Sequence, residues 1–98
     1  MWSADAQELD RAVLATLRAR DGQATTVVLK DGQSLEVLNS AWGYDEGDPF
    51  AHITTNIGPD NEGLTIDFFL TGEVGAIRDP FTGATLWTTP SSGRSRPR

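Results

Sequence analysis

The feature that most constrains this chain is a single helical pattern near its beginning. Leu9, Val13 and Leu17 recur at the period of a helix, and this spacing predicts an amphipathic helix over residues 3–20. Gly22 follows the last periodic residue and is a typical stop signal. No later segment has this period, so one helix has to pack against a domain built from strands.

From Thr25 onward the apolar residues follow the patterns of β-strands. The predicted strands are Thr26–Leu29, Ser34–Trp42, Phe50–Ile57, Leu64–Leu70, Val74–Ile77 and Ala84–Trp87. The second strand changes its apolar face near Val37–Leu38, which predicts a bulge or a sharp bend. The chain is therefore predicted to be mainly β: an N-terminal α-helix followed by a five- to six-stranded, strongly bent small barrel. The alternative is a twisted sheet with the helix packed on one face.

Composition limits the class of protein. We expect one domain over residues 1–89 and a flexible basic tail over 90–98. The net charge is −6, and because three arginines lie in the tail, residues 1–93 carry −9. An acidic body repels phosphate backbones and attracts basic partners, although net charge also serves solubility.

Cysteine is absent, which excludes disulfides and thiolate zinc sites. The acidic N-terminus lacks the apolar run of a signal peptide, and no stretch is long enough to span a bilayer. We therefore expect a cytoplasmic protein that makes no membrane contact.

The segment TTVVLKDGQSLEVLNSAW…GDPFAHITT resembles the first signature of the Sm/LSm family of small β-barrels. The matching residues are Val27, Leu29, Asp31, Gly32, Asp48, Phe50 and Ile53. The second signature is echoed, one residue short, by Leu70–Ile77. The resemblance covers residues 5–78. It implies an N-terminal helix, a five-stranded bent barrel, and rings that form through strand edges.

The chain departs from the family's pattern at its RNA-binding positions. Thr71 stands where the family has the arginine that contacts RNA, and His52 stands where it has asparagine. The loop Gly43–Gly47 is an insertion. Because the family's pocket lacks its cation here and the body is acidic, we do not expect nucleic acid to be a partner.

The stretch GYDEGDPFAHITTN places acids and aromatics beside His52, the only histidine. Its spacing matches neither a calcium loop nor a zinc site, so we expect no metal and no cofactor. A solvated loop is one interpretation, and a partner-contact surface is the other, because interfaces use aromatics rimmed by charge. The residues of the candidate partner-binding surface are Trp42, Tyr44, Asp45, Glu46, Asp48, Phe50 and His52.

A lone histidine without a cysteine or a nucleophile motif does not favour catalysis, so no catalytic residue is predicted. We expect a non-enzymatic binding or assembly module of Sm-like fold that self-associates as a homo-oligomer. Phe69, on the face opposite Phe68 and Ile66, is predicted to point outward and to take part in self-association. The alternative is an acidic inhibitor or immunity-type protein that binds a basic protein partner.

Overall fold

The computed structural model describes residues 4–57 and 63–89, which form one α-helix and seven strands. The helix, α1, spans Ala4–Ala19. The strands are β1 Thr25–Leu29, β2 Ser34–Val37, β3 Ser40–Gly43, β4 His52–Thr55, β5 Phe68–Leu70, β6 Val74–Arg78 and β7 Thr85–Thr88. A 3₁₀ turn, Thr71–Glu73, joins β5 to β6. The predicted class, mainly β with one N-terminal helix, is confirmed, and the predicted tail over 90–98 lies outside the described residues.

The helix packs through the apolar stripe that the sequence predicts. Val13, Leu14 and Leu17 are buried, and Leu9 is half-buried against the same core. Gly22 has a φ of +85°, the left-handed conformation that suits a glycine just beyond a helix end. The core cluster takes side chains from the helix and from both sheets described below.

Arg20 fastens the end of the helix to the strands. Its guanidinium donates a hydrogen bond to the Ala24 carbonyl at 2.7 Å and forms an ion pair with Asp79 at 3.2 Å. The amides of Phe81 and Thr82 donate to the Asp79 carboxylate, and these bonds, ahead of the Arg20 charge, lower the pKa of Asp79. The helix end, the start of β1 and the β6–β7 turn are thus held together.

The strands of the described residues form two antiparallel sheets, and these do not close into a barrel. One sheet has the order β2-β1-β6-β7 and the other has the order β3-β4-β5. β1 is central in the first sheet, where Val27 faces Leu35 of β2 and Ile77 of β6. All three side chains are buried, so this register places one face of the sheet against the core.

The predicted bend in the second strand is a break at residues 38–39, where the chain leaves β2 in one sheet and enters β3 in the other. Asn56 holds this crossing point. Its side-chain carbonyl accepts from the Leu38 amide at 2.7 Å, and its NH₂ group donates to the carbonyls of Glu36 and Thr65 at 2.8 Å. Asn56 is buried and has a φ of +58°, a conformation that asparagine tolerates better than most residues. The side-chain amide of Asn56 therefore supplies hydrogen bonds in place of strand pairing at the point where the chain passes from one sheet to the other.

The predicted faces of the strand at Leu64–Leu70 are reversed. Phe69 is 1% exposed, whereas Phe68 and Ile66, predicted to be core residues, are 65% and 61% exposed. The reason is the register, because Phe69 faces the fully buried Ile53 across the β4–β5 ladder. Successive residues of a strand point to opposite faces, so burying Phe69 turns Phe68 outward.

The strand itself is also shorter than predicted. Only Phe68–Leu70 belongs to a ladder, and the segment before it has no regular secondary structure. The prediction that Phe69 points outward and forms a contact between copies is therefore wrong. A side chain that is fully buried in the core of one copy presents no surface to another.

The structure predicts opposite effects for the two neighbouring phenylalanines. Phe69→Ala should destabilise the fold by about 3–5 kcal/mol, the usual cost of deleting a core aromatic side chain. Phe68→Ala should cost less than about 1 kcal/mol, because most of the side chain is already in solvent. Chemical denaturation of both variants tests this, and a larger loss for Phe68→Ala would mean that the ladder register is shifted by one residue.

Candidate functional site

The predicted partner-binding residues do not lie on one surface, because β3 separates them. Trp42 pairs with the buried Ile53, so its side chain lies on the core side of the sheet, where its ring remains 44% exposed at the edge. Gly43 pairs with His52, and this pair lies on the outer face. The site therefore has a helix side and an outer side.

Trp42 and Tyr44 make up the helix side. Their rings meet edge to face with 5.9 Å between centroids, and the guanidinium of Arg18 in α1 lies 5.9 Å from the Trp42 ring centroid. Both geometries are favourable for aromatic rings. The Tyr44 hydroxyl donates a hydrogen bond to the carboxylate of Asp10 in the helix.

Asp10 is a buried acceptor, 3% exposed, that ties three segments to the helix. Besides the bond from Tyr44, it accepts a hydrogen bond from the Ala51 amide at 2.8 Å. The Thr71 hydroxyl in the 3₁₀ turn is the third donor, at 2.5 Å. A buried carboxylate is costly unless its oxygens are hydrogen-bonded, and here both oxygens are used. The approach to β4 and the turn after β5 are thus positioned by one side chain.

This arrangement changes the acidity of Tyr44. The hydrogen bond to Asp10, followed by partial burial and the negative charge of Asp10, raises the pKa of Tyr44 from 10.0 to about 12. Removing the phenolic proton would break the bond and leave two negative charges side by side. Tyr44 therefore stays protonated and works as a positioning donor.

The outer side of the site is a surface that we call the outer sheet patch, formed by Asp45, His52 and Phe68. The rings of His52 and Phe68 are stacked, with 5.7 Å between centroids and 26° between planes. The Nε2 atom of His52 lies 3.6 Å from Oδ1 of Asp45. The imidazole also lies over Gly43, where a Cβ atom would come within 3.3 Å of the ring. Nδ1 of His52 is buried without a hydrogen-bond partner among the described residues.

Two of the predicted residues have local structural roles instead. Oδ1 of Asp48 accepts a hydrogen bond from the Phe50 amide at 3.0 Å and so shapes the turn before β4. The Phe50 ring packs on Gly72, where a Cβ atom would come within 2.9 Å of it. Glu46 is exposed and makes no hydrogen bond or ion pair within the described part of the chain.

The chemical groups near His52 are few. The imidazole lies beside the Asp45 carboxylate and stacks on the Phe68 ring, and no hydroxyl in the described ranges is hydrogen-bonded to it. Residues 4–57 and 63–89 hold no group of three or more histidine, cysteine or acidic side chains placed to bind a metal ion. The arrangement offers an aromatic and imidazole surface beside carboxylates, which is suited to contact with another molecule.

Sequence reasoning missed Asp10, Asn56 and Phe68. Asp10 had a signal, because it lies three and four residues before Val13 and Leu14 and so shares the apolar face of the helix. A single acid within an apolar stripe implies buried donors. Asn56 and Phe68 had no comparable signal, since their roles follow from the crossing of the two sheets and from the strand register.

Comparisons of this chain with family models, with curated proteins and with solved structures found no match. In the described ranges, the helix lacks the length and the apolar character that crossing a membrane would require. The assignment of a function therefore depends on the geometry of the site.

Tyr44 is the only tyrosine, so an absorbance titration of tyrosinate reports directly on its bond to Asp10. We expect the pKa of Tyr44 to be about 12, and Asp10→Asn should return it towards 10.0 by removing the carboxylate. Because the folded-state pKa is the higher one, stability from this bond is complete below pH 10 and is lost as the pH rises towards 12.

The control for this titration is Asp48→Asn, which removes a nearby carboxylate that accepts from Phe50 and not from Tyr44. It should leave the pKa of Tyr44 unchanged. A wild-type tyrosine that titrates at its ordinary value would mean that Tyr44 and Asp10 are apart in solution.

Proposed function

We propose that the protein is a non-enzymatic binding and assembly module with an Sm-like fold, which self-associates through the outer sheet patch. The observation that carries this proposal is the 65% exposure of Phe68, on an edge strand of a sheet whose opposite face is the core. A large exposed aromatic beside a stacked imidazole supplies apolar area and a defined shape to a contact.

Three features support the Sm-like part of the proposal. An N-terminal helix precedes the strands, the chain turns from β2 into β3 across a sharp break, and the central β1 pairs with both β2 and β6. A strongly bent second strand and a helix at the start are what the resemblance implies. The two sheets would then correspond to the two halves of a small, incompletely closed barrel.

The contact is proposed to use side chains, and not backbone pairing along β5. On either side of this strand, the Thr71 amide donates to the Ala51 carbonyl just before β4, and the Asp67 carbonyl accepts from the Thr55 amide in β4. The Leu70 amide therefore points to the free edge. The Glu73 carboxylate already accepts from that amide at 2.9 Å. An incoming strand would have to displace it and bring its charge to the interface. Because Glu73 occupies the backbone donor at this edge, the proposed contact uses the face of the sheet that carries Phe68.

A second candidate function is binding to a basic protein partner. It is favoured by two exposed carboxylates: Glu46 is unpaired among the described residues, and the Asp45 side chain is 74% exposed although it lies beside His52. Because residues 1–93 carry a net charge of −9, these acids would attract a cationic surface. Such a partner would depend on charge, whereas self-association through Phe68 would depend on apolar area.

Light scattering coupled to size exclusion tests the self-association. The wild-type protein should have a mass above that of one chain, and Phe68→Glu should lower it by placing a charge in the contact. Phe81→Glu is the matched control, because Phe81 is 84% exposed in the β6–β7 turn, away from the outer sheet patch. The double variant Asp45→Asn with Glu46→Gln should keep the wild-type mass, because the apolar area of Phe68, and not the charge of Asp45 beside it, is proposed to carry the contact. A monomeric wild-type protein would contradict the proposal, and an assembly lost only in the double variant would point to charge-driven contacts.

RNA binding is predicted to be negligible at physiological salt. At the position where the resemblance would place an RNA-contacting arginine, Thr71 is fully buried and donates to Asp10. The acidic body adds repulsion towards phosphates. Fluorescence anisotropy with short uridine-rich and adenine-rich RNA measures this directly. Tight binding that weakens steeply with salt would overturn the prediction.

A further inference from the structure

A cleft separates the outer edge of β2 from the segment Leu64–Asp67. The sequence of this segment predicts a strand, yet the structure leaves it outside any ladder. The cleft has a volume of about 360 Å³ and lies where the two sheets fail to meet. Its walls include Ser34 and Glu36 on the β2 side, and Leu64, Thr65 and Asp67 on the other.

The backbone of β2 presents hydrogen-bonding groups to this cleft. The Leu29 amide donates to the Gln33 carbonyl at 2.8 Å. Leu35 and Val37, which alternate with Gln33 along the strand, are therefore the residues of β2 whose backbones bond to β1. In an antiparallel pair the alternate residues face away from the partner. Ser34 and Glu36 therefore direct their amides and carbonyls outward. The Glu36 carbonyl confirms this direction, because it accepts from the Asn56 side chain.

The cleft is also acidic. Glu36 is exposed on one wall and Asp67 is half-buried on the other, and none of the described residues that line the cleft is a lysine or an arginine. Leu64, 38% exposed, adds an apolar surface beside these carboxylates. A strand edge that directs the amides of Ser34 and Glu36 into a cleft with carboxylates on both walls is complementary to an extended chain with positive side chains.

We propose that this cleft binds an extended, lysine- or arginine-rich segment of a partner protein, which adds as a strand to the free edge of β2. The added strand would satisfy the amides of Ser34 and Glu36, and its cations would lie beside Glu36 and Asp67. It would fill the gap that keeps the two sheets from closing. The proposal is independent of self-association, since none of the residues that line the cleft belongs to the outer sheet patch.

The probe for this proposal is a synthetic peptide of alternating lysine and valine, seven residues long, with both ends blocked. Added to the ¹⁵N-labelled full chain, it should shift the amide resonances of Ser34, Glu36 and Thr65 and slow hydrogen exchange at Ser34 and Glu36. Two control peptides should not do so. One replaces each lysine with glutamate, and the other keeps the lysines but has methylated backbone nitrogens that prevent strand pairing.

A pair of variants separates the cleft from general attraction between opposite charges. Glu36→Lys should weaken peptide binding roughly tenfold. Glu8→Lys makes the same change of charge at an exposed residue of α1, outside the cleft and outside the surfaces proposed above, and should leave binding near the wild-type level. Both positions are exposed, so both variants should fold, as their amide spectra will verify.

Three results would overturn the proposal. Equal weakening by Glu36→Lys and Glu8→Lys would mean non-specific attraction, and resonance shifts confined to His52 and Phe68 would place the peptide on the outer sheet patch. Slow exchange of the Ser34 and Glu36 amides in the free protein would mean that the edge is already paired. If the protein is monomeric and still binds the peptide in the cleft, the proposed self-association is refuted and the cleft proposal stands.

Discussion

The buried carboxylate of Asp10 is the interaction on which the arrangement of the site depends. It joins the helix to Tyr44 and to the amide of Ala51, at the two ends of the loop between β3 and β4, and to the hydroxyl of Thr71 after β5. Without an acceptor at this position, buried donors would lose their partners at a cost of about 1–3 kcal/mol each. The loop before β4 and the turn after β5 are the parts of the fold that Asp10 holds.

Asn56 is a second buried polar side chain that fixes the arrangement of the strands, at the point where the chain passes from β2 to β3. It allows one continuous stretch of chain to serve two sheets, and its amide occupies the point at which their backbones would otherwise compete. The two sheets then diverge beyond Thr65, which leaves the outer edge of β2 facing a segment without a ladder. The same bend that makes a compact core possible thus leaves an open seam.

The two proposed contact surfaces differ in their physical character. The outer sheet patch offers apolar aromatic area and is suited to a second copy of the chain, whereas the cleft offers backbone groups and carboxylates and is suited to a basic strand. The β5 edge, where ring formation through strand edges was expected, is blunted by Glu73. A change of one surface by mutation leaves the other in place, so each can be tested alone.

The elements that follow from local physics could be read from the sequence. The period of Val13 and Leu17 placed the helix within one or two residues, and Gly22, the predicted stop signal, has the positive φ that suits a glycine just beyond a helix end. The faces of β5 could not be read in this way. One face of the predicted strand has four apolar residues, Phe68 among them, whereas Phe69 is the only apolar residue of the other face. Local spacing therefore favours burial of Phe68. Tertiary structure decided for Phe69, because the register of β5 is set by Ile53, sixteen residues earlier in the chain.

The candidate site likewise combines features that the sequence determines with features that depend on the tertiary structure. The sequence by itself determined that acids and aromatics cluster around the only histidine, and that no cysteine chemistry is possible. Only the tertiary structure decided that Tyr44 serves Asp10, that Phe50 packs on Gly72, and that Asp45 and His52 join Phe68. Periodicity reports the type of an element and the spacing of its side chains. Which face is buried, and which polar groups meet, depends on pairings between distant segments that local spacing does not encode.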